Sequence, residues 1–309
     1  MDLYQDAMQL LLFRNECVEW PELQNALQRA LAHRPVAWHF PVKACEAVGA
    51  RAQDALHAVA AITCAHMAIM LVDDILDEDP RGAYRQMGVG KAANLAIALN
   101  GLGIAVLLDT HLPNSARALN QMILRTAYGQ DLDAMNLNTQ DEYWAVTRLK
   151  SSPYFGAALF LGSLFGGAAQ ELAEEFRQLG ELYGEIMQIH DDLNDSLAVP
   201  ANVDWLAGRS PLPLLFAQIV DHPDRPRFIE LRNKVNNLEA LKEAQTILVR
   251  CGAISYSVNE LMLRHAQAHE LLNQMKLSKP ESIAGLLNES IAPVKHLFAK
   301  VGADFDATI

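Results

Sequence analysis

The sequence predicts an all-α chain folded as one domain, residues 1–309, around a central helical bundle. Three observations carry this. Ala, Leu, Met, Glu and Gln dominate nearly every segment, and alternating β-branched runs bounded by turn pairs are missing. The apolar runs are long, and they recur without any shift of composition that would mark a linker. With 51% hydrophobic and 20% charged residues, 309 residues are enough to enclose a sizeable core.

In chain order the periodicity predicts helices over 3–14, 19–32, 36–48, 54–77, 90–109, 114–136, 140–167, 170–195, 210–221, 225–235, 238–251, 254–276 and 280–299. Capping boxes open two of them, Thr139-Gln140-Asp141-Glu142 and Ser278-Lys279-Pro280-Glu281. Gly49, Gly82 and Gly252 stand where helices should stop. Three uncharged runs, 55–72, 92–108 and 151–170, call for comparison with membrane spans, and only the last reaches spanning length. Ser151, Ser152, Pro153 and Ser163 interrupt it, so all three read as helices buried inside a bundle.

The chemistry gathers at two matching motifs, Asp73-Asp74-Ile75-Leu76-Asp77 and Asp191-Asp192-Leu193-Asn194-Asp195. On a helix the first and last aspartates of each motif return to nearly the same face. Two such faces turned toward one another form an oxygen-only cage suited to Mg²⁺, which takes carboxylates, waters and substrate phosphates. Both motifs end apolar helical runs, where the helix dipole disfavours negative charge. A local rule broken twice in the same way points to function. The loops that follow, 78–89 and 196–209, each contain Pro, Gly and Arg, and both would overhang one mouth, suited to closing on a phosphorylated ligand.

A net charge of −12 argues against a nucleic-acid partner. Cys17, Cys45, Cys64 and Cys251 are widely spaced and read as reduced thiols of a cytoplasmic protein. The first residues show no basic stretch preceding an apolar one, so no signal peptide is expected, nor stable membrane insertion.

Paired carboxylate clusters with nearby cations suit a diphosphate. Bound metal makes it a leaving group, and a resonance-stabilised allylic cation would need a dry cavity below. Ala65 and Ala68, with Ile69 beside them, sit on the turns leading to Asp73 and would leave a deep shaft. Trp144, Phe155, Phe160 and Met187 are candidates for its walls, although for any one of them ordinary core packing is the better reading. His66 and His190 flank the two motifs and read as core or rim histidines.

At these residues the chain resembles the trans-isoprenyl diphosphate synthase (polyprenyl synthetase) family, of the class I isoprenoid synthase fold, from about residue 30 to 270. Ala65-His66-Met67-Ala68 is similar to that family's approach to its first motif. Gly129-Gln130-Asp131-Leu132-Asp133 is similar to its Gly-Gln-x-x-Asp, and Lys150-Ser151 to its Lys-Thr. Gly184 with Gln188-Ile189-His190-Asp191-Asp192, and Gly208-Arg209-Ser210-Pro211-Leu212-Pro213, resemble its later motifs, with Arg209 standing for a lysine. The resemblance implies that Asp73, Asp74, Asp77, Asp191, Asp192 and Asp195 hold Mg²⁺, three ions per site. It implies that Lys150 and Arg209 clamp the allylic diphosphate, with Gln130 and Gln188 on the cavity side. It also implies a homodimer.

Two departures concern the second diphosphate, that of isopentenyl diphosphate. The basic motif near the N-terminus is reduced to His33-Arg34-Pro35-Val36-Ala37-Trp38, and the paired arginines after the first motif to Arg81 alone. Each missing charge-assisted contact costs about 1.5–3 kcal/mol. The sequence therefore favours a terpene synthase on a prenyl-elongating scaffold, ionising a substrate of about C15–C20. The alternative is a chain-elongating prenyltransferase using His33, Arg34, Lys43, Arg81 or Arg85 for isopentenyl diphosphate. Prenyl transfer to a non-isoprenoid acceptor such as a peptide, and a non-catalytic regulatory subunit, are the remaining readings. Intact aspartates count against the last.

Overall fold

The computed structural model describes residues 2–32, 34, 36–133, 135, 137–292 and 294. Its α-helices are α1 (Leu3–Leu12), α2 (Asn15–Val18), α3 (Pro21–Ala32), α4 (Phe40–Ala47), α5 (Leu56–Leu76), α6 (Tyr84–Met87), α7 (Val89–Leu108), α8 (Pro113–Asp133) and α9 (Gln140–Lys150). They continue with α10 (Ser152–Phe165), α11 (Gln170–Leu197), α12 (Val203–Ala207), α13 (Leu212–Ile219), α14 (Arg225–Arg232), α15 (Leu238–Arg250), α16 (Ala253–Gln274) and α17 (Glu281–Ser290). No strand occurs among the described residues, as the sequence predicted. The expected residue His33 lies outside the described residues, as does the 295–299 end of the last expected helix.

α5, α10 and α11 form the middle of the bundle. Their shared core includes Ile62, Ala65, Phe160, Phe176 and Leu179. A second core joins α1, α3 and α7 to the other side of α5 through Met8, Leu27, Ala68, Leu95 and Leu99. A third, smaller core around Trp205, Phe228, Leu241 and Ile247 holds α12 to α15 together.

Close helix packing depends on missing side chains. A Cβ at Gly184 of α11 would stand 2.6 Å from Ser152 Cα of α10, and one at Gly129 of α8 would stand 2.3 Å from Lys150 N of α9. Such distances leave no room for any residue but glycine.

The single helix expected over 140–167 is two helices, broken at Ser151. Pro153 lacks the N–H that would continue the ladder, and its ring crowds the carbonyl four residues back. The break redirects the chain immediately after Lys150, and α10 spans only 14 residues, too few to cross a bilayer. Among the described residues, Ala52–Leu76 and Val89–Leu108 are instead the helical stretches long and apolar enough to do so. The first of these lies largely inside the fold. The short helices α2, α6 and α12 were not anticipated. At four or five residues they have too few turns to show periodicity.

Candidate active site

α5 delivers the first motif and stops there. Asp77 caps it, its N–H donating to the Asp73 carbonyl at 2.8 Å. Glu78 then takes a φ of 51°, a left-handed conformation that an L residue adopts rarely, and Pro80 prevents the helix from resuming. α11 delivers the second motif from its last two turns. Both motifs face one cavity of about 670 Å³, lined at its mouth by Asp73, Asp77, Asp191 and Asp195.

Each cation at the mouth already grips a carboxylate. Lys150 Nζ stands 2.6 Å from Asp133 and 3.8 Å from Asp73. Arg209 stands 2.6 Å from Asp77 and 3.6 Å from Asp204. Gln130 donates to Asp73 at 2.5 Å. Arg209 is aimed by its neighbour, because Gly208 ends α12 in the left-handed region at φ 73° and turns the chain back toward α5.

The electrostatics express crowded negative charge. Burial, then repulsion from Asp195, pushes Asp191 up to about 6, although its carboxylate stays open to the cleft and is partly screened. Asp204 is pushed up to about 6 by burial and then Asp195. Burial chiefly, followed by Asp73, raises Asp77. Burial also raises Asp195, with Asp77 adding to it and a hydrogen bond from Asn202 opposing it. Burial alone would depress Lys150, but Asp133 and Asp73 outweigh it and hold the ammonium above the ordinary lysine value.

Among the described residues no three His, Cys, Asp or Glu side chains converge on one point. Mg²⁺ does not require that, since it keeps several waters and takes one or two carboxylates together with substrate phosphates. Four carboxylates at one mouth supply the oxygen ligands that hard divalent cations take, and burial with neighbouring charge raises Asp77, Asp191 and Asp195 among them.

The structure places the sequence-predicted residues unequally about the cavity. Asp192 lines the cavity as well, but both its oxygens are already engaged. It is 4% exposed and accepts from Tyr143 Oη at 2.7 Å, Leu212 N–H at 2.7 Å and Gln188 at 2.8 Å. It ties α9, α11 and the start of α13 together. Asp74 turns to a neighbouring pocket rather than to the main cavity. Ala65 and Ala68 form no shaft. Each is 1% exposed and committed to core, Ala65 on one side of α5 and Ala68 on the other. Of α5, the stripe His66, Ile69, Met70, Asp73 and Asp77 lines the cavity. The deeper wall is aromatic: Tyr154 and Phe155 line it, their rings 5.2 Å apart and edge to face.

Trp144, Phe160 and Met187 do not line this cavity. Trp144 lies under the Arg264 guanidinium at 3.6 Å. Gln188 does line it, accepting from Ser151 Oγ at 2.5 Å. His190 is a core histidine bonded to the Ser290 carbonyl, while His66 lines the wall, its ring 5.5 Å from that of Tyr154. Arg34 stays outside the cavity, paired with Asp2 and resting over the Tyr4 ring.

Two acids were missed as site residues. Asp133 closes the Gly-Gln-x-x-Asp stretch, a signal already present. Asp204, five residues before Arg209, has no periodic signal and is recognisable only from the way α12 returns over the mouth.

An all-α bundle enclosing an apolar-walled cavity, its mouth set with facing aspartates and with lysine and arginine between them, belongs to enzymes that handle diphosphates through divalent metal. Comparison with known proteins makes the class specific. The polyprenyl synthetase family model matches residues 24–223, and the chain belongs to that family. It is 26% identical over 257 residues to a nonaprenyl diphosphate synthase of Mycobacterium tuberculosis, covering 75% of this chain and 74% of that one. It is 27% identical over 226 residues to a terpene synthase of Matsumurasca onukii, covering 66% and 72%. Its fold matches a polyprenyl synthase of Caulobacter crescentus solved with calcium and isoprenyl diphosphate, at TM-score 0.81 and 18% identity over 94% of this chain and 93% of that one.

Proposed function

We propose that the protein extends an allylic prenyl diphosphate by condensing it with isopentenyl diphosphate. One observation carries this choice over the terpene synthase that the sequence favoured. A second pocket, of about 390 Å³, lies beside the aspartate cavity and shares His66, Met70 and Arg81 with it. Arg29 and Arg81 bring two guanidinium groups to it, and His66 stands on the shared wall. A small second diphosphate fits that chemistry, with its hydrocarbon directed through the shared wall toward the allylic carbon. The prenyl-elongating relatives support the same reading.

Mg²⁺ bound at the facing aspartates, three ions in this proposal, would neutralise the allylic diphosphate and make it a leaving group. This chain's own groups do the rest. Lys150 and Arg209 exchange part of their carboxylate contacts for the diphosphate oxygens. Tyr154 and Phe155 keep water from the allylic cation and offer it ring faces. A carbon–carbon bond to the second substrate replaces the broken carbon–oxygen bond, and the proton lost passes to the departing diphosphate.

A terpene synthase remains the second reading. The specific support is Arg34, which is engaged by Asp2 and absent from both pockets, and the similarity to a terpene synthase. The test is incubation with Mg²⁺ and geranyl, farnesyl or geranylgeranyl diphosphate, with and without isopentenyl diphosphate, with products resolved by gas chromatography and mass detection. Longer prenyl alcohols, obtained after dephosphorylation and only when isopentenyl diphosphate is present, support elongation. Hydrocarbons or terpene alcohols formed without it overturn elongation.

We also propose a cytoplasmic homodimer. Four unpaired cysteines suit a reducing compartment. Ile97 and Leu108 of α7, with the open face at Gly101 between them, and Leu124 and Tyr128 of α8 expose the apolar stripes that a second copy would cover.

A further inference from the structure

Behind the Arg209 loop, on the side away from the aspartates, lies a separate groove of about 730 Å³ between α12, α13 and α14. Its composition runs against that of the chain. Arg225 and Arg232 both line it, and among the described residues no carboxylate does. Carboxamides surround them at Asn138, Gln218, Asn233 and Asn236.

Neither arginine makes an ion pair among the described residues. The Arg225 guanidinium donates to the Gln218 carbonyl, at 2.6 Å. Arg232 donates to the Arg209 carbonyl. The acids nearby are engaged elsewhere. Asp224, adjacent in sequence to Arg225, is held by Arg250 at 2.7 Å, and Asp204 faces Arg209. In a chain with 37 acids and 25 lysines and arginines, two guanidinium groups without a carboxylate in one groove call for an external anion. Arg232 is the more enclosed of the two. Burial pulls it down to about 10, with Asp204 opposing, so it remains charged at neutral pH and gains from a counter-charge.

We propose that this groove is a second anion site, taking a diphosphate group on the two guanidinium forks of Arg225 and Arg232. Planar forks match phosphate oxygens bidentately, and the carboxamides supply further donors. The site is linked to the aspartate cavity through one thin wall. Trp205 to Gly208 line the groove, while Asp204 and Arg209, at either end of that segment, line the cavity. An anion that draws Arg232 off the Arg209 carbonyl bears directly on the residue that grips Asp77. Two sources carry the same chemistry, free inorganic diphosphate and the head group of a prenyl diphosphate. The site stands on the groove's own residues and does not depend on which reaction the aspartate cavity performs.

The test is calorimetric titration of the whole protein in metal-free buffer with inorganic diphosphate, orthophosphate and farnesyl diphosphate in separate arms. The expected result is binding of diphosphate that persists in Lys150→Gln, weakens at least about tenfold in Arg225→Gln, and is lost in Arg225→Gln/Arg232→Gln. Measured in Lys150→Gln, tighter binding of farnesyl diphosphate than of free diphosphate that weakens in Lys150→Gln/Arg225→Gln assigns the source to the prenyl compound, and equal binding assigns it to the head group alone. Absence of binding in all three arms overturns the proposal. So does binding that disappears in Lys150→Gln and survives in Arg225→Gln, since it then belongs to the aspartate cavity. Arg225 is exposed, so its single substitution tests the site even if the double variant fails to fold.

Discussion

Arg209 donates to Asp77 across 2.6 Å, latching the loop after the second motif to the end of the helix that carries the first. In the free protein this contact holds the mouth together and offsets one of its charges. When a diphosphate enters, the same guanidinium is the group best placed to turn to it. Arg209→Gln is therefore expected to raise KM for the allylic diphosphate by about 10- to 100-fold, the worth of one or two charge-assisted hydrogen bonds. Arg209→Lys, which keeps the charge and loses the fork, should fall between. Steady-state kinetics at saturating Mg²⁺ checks both, and an unchanged KM in Arg209→Gln would remove the residue from the binding step.

Gly129 sets where Lys150 stands. A methyl group there would meet the backbone of Leu149 and Lys150 at 2.3–2.6 Å, with no flexible side chain to yield. Gly129→Ala should cost about 1–3 kcal/mol. For a chain of 309 residues that is roughly 1–2 °C of melting temperature per kcal/mol. Turnover should fall as well, because separating α8 from α9 moves the ammonium away from Asp73. A variant that melts like wild type and turns over normally would contradict the close approach.

Adjacent aspartates should behave in opposite ways. Asp192→Ala leaves the Tyr143 hydroxyl and the Leu212 N–H buried without their acceptor, at about 1–3 kcal/mol each. Asp192→Asn keeps an oxygen for those donors and should fold. Asp191→Asn should also fold, yet lose Mg²⁺-dependent activity. Thermal melts of the three variants, paired with Mg²⁺ titrations of turnover, separate a structural carboxylate from one that faces the cleft.

The crowded carboxylates give the metal-free protein a pH dependence of definite sign. Asp191 titrates at about 6 in the fold against an ordinary 3.8, so the folded state holds its proton more tightly than the unfolded chain does. Its contribution is most favourable below the unfolded value, declines as pH rises toward 6 and stays low above it. Asp191→Asn should thus match wild type in melting temperature near pH 4 and exceed it at pH 7.5 in metal-free buffer. Saturating Mg²⁺ should close or reverse the gap, since binding to the folded state alone stabilises it. Parallel melting curves at the two pH values would contradict the repulsion.

Removing a cation from the second pocket should separate the two substrates. Arg81 is paired with Asp79 at 2.8 Å and highly exposed, so Arg81→Gln should leave the fold intact. Under the elongation reading, KM for isopentenyl diphosphate rises about tenfold or more while that for the allylic diphosphate changes little. Equal changes in both constants would place Arg81 at the shared mouth alone.

By itself the sequence determined the helical class, most of the element order, and the two aspartate faces. These depend on periodicity over three or four residues, which local composition records directly. The resemblance to the family's motifs also marked Gly129 and Gly184. Only the tertiary structure decided which side of each helix meets the cavity. Ala65 and Ala68 are small enough to open a shaft, but α5 is packed on both flanks, so they went to core and the wall fell to Tyr154 and Phe155. Asp192 matches Asp191 in type and motif, and differs only because Tyr143, 49 residues earlier, and Leu212, 20 residues later, reach its oxygens. Such assignments are set by contacts between segments far apart in the chain, and a window along the sequence does not contain the partner that makes them.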